Sequence, residues 1–358
     1  NRERTRGREM PITIGHDRLT DIVTAMMAGA KSSPEEARTI AENLVTANLM
    51  GHDSHGVGLA PRYMKHALGG TMNPGARPSV VSDNGAYLLL DGNMGYGQTV
   101  CREAMEMAIE RAQKTGVCVM GLRRTHHMGR IGAWGEMAAK AGLISIHYVN
   151  TTGHRPYVSP WGGYEAKYST NPYCTAIPAT DDHPMIVLDM ATSRVAQGKV
   201  RVAYYAGKKT PADALVGPDG KPTDDPTVIF EEPYGAMLSF GQHKGYGLAM
   251  ICEILAAGLT GGGTAREELM SQDTICNNML SIVLDPAGFG AEIPFKSEID
   301  QLVDHVSSAK VAVGHDRIRF PGDPERETAA ERRANGIPID DNTWAEMTRA
   351  GVEAGMDA

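Results

Sequence analysis

Apolar residues recur along this chain in two rhythms. Near the N-terminal end, Leu19, Ile22, Val23, Met26, Met27 and Ala30 stand three or four apart. That spacing lines one face of a helix and predicts its end near residues 29–31. Ser33-Pro34-Glu35-Glu36 then supplies an N-cap serine, a proline at the first helical position and a glutamate at the third. A second helix is predicted to start there and to turn Ala37, Ile40, Ala41, Leu44 and Val45 inward, with Gly51 as its stop. Two short apolar runs within residues 80–91 flank Asp83-Asn84-Gly85, which predicts a hairpin closed by a type I′ turn at Asn-Gly. A helix over residues 99–114 follows, ended by Gly116.

The middle of the chain alternates the two rhythms. Strand-like runs at residues 117–122, 143–149 and 185–188 are interleaved with a helix around residues 134–140, which is α/β material. A helix starting near Lys244 carries Leu248, Ile251, Cys252 and Leu255, and residues 279–284 read as a buried strand. Residues 325–335 are highly charged, and Trp344, Met347 and residues 351–354 form a modest helical stripe. Both ends being helical and the strands central, the expected organisation is discontinuous. Residues 10–78 plus 325–358 make a helical outer or dimerisation domain, and residues 79–324 a catalytic α/β region. Residues 207–226, rich in Pro, Gly, Lys and Asp, read as a long surface loop.

Composition narrows the classes. A chain of 358 residues has room for two domains at roughly 150 residues each, and no run approaches the roughly 18 apolar residues of a membrane span. The net charge of −8, with basic residues scattered, lacks the footprint of a nucleic-acid binder. Five widely spaced cysteines without a C-x-x-C suggest reduced thiols in a cytoplasm rather than disulfides or structural zinc. The first nine residues carry four arginines and no apolar run, and read as a disordered tail rather than a secretory signal.

Glycine is in excess, at 41 residues. It does not form a Rossmann fingerprint: Gly95-x-Gly97 and Gly245-x-Gly247 are each followed by a residue other than glycine at the third position, Val100 and Met250. No P-loop occurs. The GHDSHG run at residues 51–56 has G-x-x-S-x-G spacing and no preceding strand, a poor match to a nucleophile elbow built on Ser54. His52, Asp53 and His55, with His126 and His127, could be metal ligands, but not at the spacing of a helical zinc motif.

Four polar clusters punctuated by glycine remain: DSHG at residues 53–56, HHMG at 126–129, DMATS at 189–193 and HKGYG at 243–247. Interconverting a hydroxyl and a carbonyl by hydride transfer requires a group that exchanges the hydroxyl proton, and imidazole titrates near working pH. A carboxylate such as Asp189, after an apolar strand, could orient such a ring or simply cap its own turn. Lys244 near a helix start opposes the helix dipole and so calls for an anionic partner.

These motifs, with Thr170-Asn171-Pro172 and Pro321-Gly322-Asp323, resemble the malate/L-lactate dehydrogenase family over nearly the whole chain. GHDSHGVG, HHMGRIG and NGIPID at residues 335–340 are most similar to its hydroxycarboxylate dehydrogenase B branch. The resemblance implies a mixed sheet with a non-Rossmann dinucleotide site and a helical domain from both termini. It also implies a homodimer that uses NAD or NADP on a small 2-hydroxy or 2-oxo acid. It places proton transfer and substrate binding on His55 and His127, with Ser54 beside them, and cofactor contacts on Thr151, Asp189, Met190, Ala191, His243, Lys244, Gly322 and Asp323. Where many relatives carry a carboxylate-clamping arginine, this chain has Leu59, which leaves Arg62 or Arg194 for that role. Reduction of a cyclic imine and oxidation of ureidoglycolate remain open on the same scaffold. A Ser- or metal-dependent hydrolase and a non-catalytic binding protein are the readings from other classes.

Overall fold

A computed structural model describes residues 12–270, 272–290 and 294–356; the expectation for residues 1–9 lies outside them. The chain divides into two compact units, one running to Gly70 and resuming at Pro324, the other spanning Thr71–Asp323. In the first, helices His16–Gly29 and Pro34–Leu49 pack through the expected stripes: Leu19, Val23, Met26 and Met27 on one, Ile40, Leu44 and Val45 on the other, all buried. Ser33 Oγ accepts from Glu36 N at 3.2 Å, closing the predicted cap. Helices Ala60–Gly69 and Asp341–Glu353 complete the packing. Ile12–Ile14 pairs antiparallel with Ile337–Ile339, so the two chain ends are stitched into one unit by backbone hydrogen bonds.

The second unit is built on seven strands: β1 (Ser79–Asn84), β2 (Tyr87–Asp91), β3 (Val117–Thr125), β4 (Ile144–Thr152), β5 (Tyr173–Ile177), β6 (Ile186–Met190) and β7 (Cys276–Leu284). Their spatial order is β1-β2-β3-β7-β4-β5-β6. Only β2 and β3 run parallel, joined by the crossover helix Gly97–Thr115. The other pairs are antiparallel, so the sheet is mixed. Period-two alternation gives β4 two different faces. His147 lies on the side of helix Gly132–Lys140, where Gly135 approaches it, whereas Asn150 bonds Glu253 in the π-helical turn Glu253–Gly258 that continues helix His243–Cys252.

The hairpin differs from expectation in its turn. Asn84 stays in β1 opposite Tyr87, and Gly85 alone takes a positive φ of 62°, as glycine does at the first central position of a type II′ turn. Residues 207–226 are more ordered than a surface loop. Leu215–Val216 and Pro222–Thr223 join Ala236–Met237 in a three-stranded sheet, and Leu215 is buried in a satellite core with Val158, Val200 and Ile229. Two-residue strands are too short to show a period. Helices Gln197–Tyr205 and Phe295–Ser307 were not anticipated.

Candidate active site

In the first unit, helix Pro34–Leu49 gives way to two 3₁₀ turns, Asp53–His55 and Val57–Leu59, before helix Ala60–Gly69. No strand leads into Ser54, so the strand-turn-helix of a nucleophile elbow is not formed. Ser54 Oγ instead lies 3.1 Å from Nδ1 of its neighbour His55. The turn is braced by Asn48, whose Oδ1 accepts from Val57 N at 2.7 Å and whose Nδ2 donates to Asp53 at 2.6 Å. Gly56 permits this: a Cβ there would sit 2.1 Å from Asn48 Oδ1. From helix Asp323–Asn335, Arg332 donates to both Asp53 oxygens, at 2.6 and 3.0 Å, and Glu325 bonds His52 Nε2 at 3.1 Å. His55 is left half-buried on a rigid turn.

Leu59 is buried, and its side chain is apolar, so the usual clamp position contributes no charge. Arg62, partly exposed in the first turn of the next helix, forms no ion pair among the described residues. Arg194, the other candidate, is engaged by Asp213 at 2.6 Å.

In the second unit, β3 ends at Thr125 and the HHMG segment follows. His126 is buried, its ring edge-on to Tyr96 at 6.4 Å between centroids, while His127 is half-buried. The backbone around His127 is tightly held. Gln98 Nε2 donates to His127 O at 3.3 Å, Met128 N donates to Asn277 Oδ1 at 2.9 Å, and Trp134 Nε1 donates to Met128 O at 3.2 Å. Gly97, opening the crossover helix, passes so close that a Cβ would meet His127 O at 2.3 Å.

One oxygen of Asp189 is engaged by backbone rather than by an imidazole. Its Oδ2 accepts from Gly132 N at 2.7 Å and so caps helix Gly132–Lys140, a favourable place for a carboxylate at the positive end of a helix dipole. Hydrogen bonds link the segments that carry several of the candidate cofactor residues. Thr151 N donates to Asn171 Oδ1 at 3.3 Å; next to Asn171, Thr170 O accepts from Thr192 N at 2.9 Å; Thr192 O accepts from Phe240 N at 3.0 Å; and Phe240 O accepts from Gly245 N at 3.0 Å. This relay of bonds joins the Thr151, Met190-Ala191 and His243-Lys244 segments. Pro321 O accepts from Val187 N at 3.1 Å, which sets Gly322, at φ 97°, and Asp323 beside β6.

These residues fit a dinucleotide. Lys244 is exposed in the first turn of its helix and forms no ion pair among the described residues, leaving a cation for an anionic group. Gln242, just before it, is held at φ 59°, a strained conformation for a side-chain-bearing residue. Gln242 also lines a cavity of about 370 Å³ with Trp161, Tyr164, Arg194 and Leu238. A larger cavity, about 670 Å³, is lined by Lys140, Met185, Asp285 and Phe295 and touches none of the candidate residues. Among the described residues, no group of three His, Cys, Asp or Glu side chains is placed to hold a metal ion.

Sequence reasoning noted Asn171 only as part of a motif and missed the other buried amides that organise this region. Asn277 and Asn278 open β7, Asn150 lies in β4, and Asn171, at φ 26°, follows Thr170. All four are buried, as is Glu253, which accepts from Asn171 Nδ2 at 2.8 Å, Ala265 N at 2.8 Å and Asn150 Nδ2 at 3.2 Å. Burial pushes the Glu253 carboxyl upward, and those three donors offset part of the shift. The adjacent Asn-Asn pair at the head of an apolar strand was the available signal.

A sequence model of malate/L-lactate dehydrogenase matches residues 14–348. The chain is 38% identical over 343 residues to hydroxycarboxylate dehydrogenase B of Escherichia coli O157:H7, covering 94% of this chain and 93% of the relative. Among solved structures, sulfolactate dehydrogenase from Methanocaldococcus jannaschii superposes with a TM-score of 0.86 at 30% identity, covering 97% of this chain and 98% of that one. Delta1-piperideine-2-carboxylate reductase from Pseudomonas syringae pvar. tomato superposes at 0.82 and 31% identity, covering 95% and 99%. The chain belongs to the malate/L-lactate dehydrogenase family.

Proposed function

We propose that this protein is an oxidoreductase that interconverts a 2-hydroxy acid and a 2-oxo acid with NAD or NADP. The observation that carries the reading is the hydrogen-bond relay linking the Thr151, Met190-Ala191 and His243-Lys244 segments beside a lysine, Lys244, that forms no ion pair among the described residues, within a chain of this family. A bound nicotinamide would supply or accept the hydride. Lys244 and His243 would hold its phosphates, with Thr151, the backbone at Asp189-Met190-Ala191 and the Gly322-Asp323 turn completing the site.

His55 is the proton donor in reduction and acceptor in oxidation. The hydrogen bond between Ser54 Oγ and Nδ1 helps hold the ring, and an imidazole can exchange a proton with the substrate oxygen near working pH. His127 binds the substrate, and Arg62 holds its carboxylate through a charge-assisted pair. A second reading, reduction of a cyclic imine bearing a carboxylate, draws support from the absence of an arginine at Leu59 and from the likeness to the piperideine-carboxylate reductase.

Among the described residues no helix is long and apolar enough to cross a membrane, and all five cysteines are buried free thiols, which supports a cytoplasmic setting. Exposed Met250, Ile251, Ile254 and Leu259, at helical spacing, support a homodimer; sedimentation of the purified chain reads its state, and deletion of the helical unit its part in pairing. The deciding experiment follows reduced-nicotinamide absorbance while 2-oxo acids and cyclic imine carboxylates are added in turn. Consumption with a 2-oxo acid is expected; consumption with none of them defeats the reading.

A further inference from the structure

The most consequential group that the proposed reaction leaves unused is the Asn277 side chain. It is buried, at 3% exposure, at the point where β7 is shared between two neighbours. On one side Asn277 pairs with Thr125, the last residue of β3; on the other it pairs with Thr151 of β4. Its register with β3 shifts between Asn277 and Met279, the irregularity that often re-aims a side chain beside an active site.

The amide oxygen and both amide hydrogens are engaged. Oδ1 accepts from Met128 N at 2.9 Å, and Nδ2 donates to Asn150 O at 3.0 Å and to Thr151 Oγ1 at 2.8 Å. The Asn277 carbonyl also accepts from Thr125 Oγ1 at 3.2 Å. One planar group therefore spans the peptide that follows His127 and the hydroxyl of Thr151. Only an amide offers one acceptor and two donors in that geometry. A carboxylate would keep the Met128 bond but point an acceptor at Asn150 O, and an alkyl side chain would strand a buried N–H.

We propose that Asn277 is a positioning residue that fixes the substrate-side His127 loop and the cofactor-side Thr151 edge relative to each other; this rests on the function proposed above. Beside it, Asn278 ties the end of β3 to β4, accepting from Arg124 N at 2.7 Å and donating to Asn150 Oδ1 at 2.8 Å. Hydride transfer depends steeply on the placement of donor and acceptor, so loosening this tie acts on turnover as well as on binding.

The test compares wild type with Asn277→Ala and Asn277→Asp. Reduced-nicotinamide Kd is measured by fluorescence without substrate, kcat and KM with the best 2-oxo acid from the panel, and folding by thermal melting. A folded Asn277→Ala is expected to raise Kd about tenfold and to lower kcat about tenfold, the size expected for losing one to two net hydrogen bonds. A folded Asn277→Ala whose Kd and kcat both stay within about twofold of wild type, whatever its melting temperature, would reduce the residue to a structural one and overturn the proposal. Should Asn277→Ala not fold, Asn277→Asp decides. Keeping the Met128 bond and losing both donors, it is expected to weaken nicotinamide binding more than it raises the KM for the oxo acid; unchanged Kd overturns the proposal. A wild-type chain that binds no nicotinamide overturns the functional reading itself, and the inference with it.

Discussion

Arg332 grips Asp53 through both carboxylate oxygens, at 2.6 and 3.0 Å, from a helix near the opposite end of the chain. The pair holds the turn that carries Ser54 and His55, and Arg332 also donates to Asn48 O at the end of the preceding helix. Arg332→Ala is expected to lower kcat roughly tenfold while costing about 1 kcal/mol of stability, because Asp53 is half-exposed and the pair is screened. Arg332→Lys, which keeps the charge and loses the planar fork, should recover little of the turnover. Steady-state kinetics beside a urea titration separates the two effects; wild-type kcat in both variants would show that the brace is dispensable.

Removing the proposed proton carrier should be more costly. His55→Ala is expected to reduce kcat by about 10²-fold or more, the usual scale of general acid–base catalysis. Full turnover in that variant would transfer the role to His127. In a His127→Ala variant the loss is expected chiefly in substrate KM, so paired Michaelis–Menten measurements distinguish the two histidines.

Lys244 has no carboxylate to lose among the described residues, so its removal should act on the ligand. Lys244→Ala is expected to raise the nicotinamide Kd about tenfold, in keeping with one charge-assisted contact to phosphate. Melting of the protein alone should be little changed. Unaltered Kd in a fluorescence titration would remove Lys244 from the cofactor site.

The sheet contains a titratable group remote from this chemistry. His147 is fully buried, its Nδ1 2.8 Å from Ser281 Oγ and its Nε2 2.9 Å from Ser145 Oγ, and burial lowers its pKa to about 4. An unfolded chain holds this imidazole near pKa 6.5. Between pH 6.5 and 4 the unfolded state therefore binds more protons, and stability falls as pH falls through that window. The lowered pKa corresponds to a loss on the order of 3 kcal/mol. Urea midpoints measured from pH 7 to pH 4 should decline, and His147→Asn should flatten the decline; an unchanged slope would exclude His147 as its source.

Local chemistry was legible wherever a few neighbouring residues carried it. The Leu19-to-Ala30 stripe, the Ser33-Pro34 cap and the stop at Gly116 reflect i to i+4 geometry and dihedral preference, and each has its counterpart in the structure. The candidate clusters were also visible, because imidazole, ammonium and glycine declare their chemistry in any fold. The strand order was not, since β7 enters between β3 and β4 from more than a hundred residues away and pairs through backbone groups that every residue possesses. Nor could sequence decide what each polar side chain serves. Asp189 could equally have oriented a ring or capped its own turn, and only the approach of Gly132 N shows what one of its oxygens accepts; Asn277 had no distinguishing chemistry until Met128 and Thr151 were brought to its two ends. The sequence by itself determined the helices, their caps and which groups could react; the tertiary structure alone decided their partners, because a hydrogen bond depends on distances that only the folded chain defines.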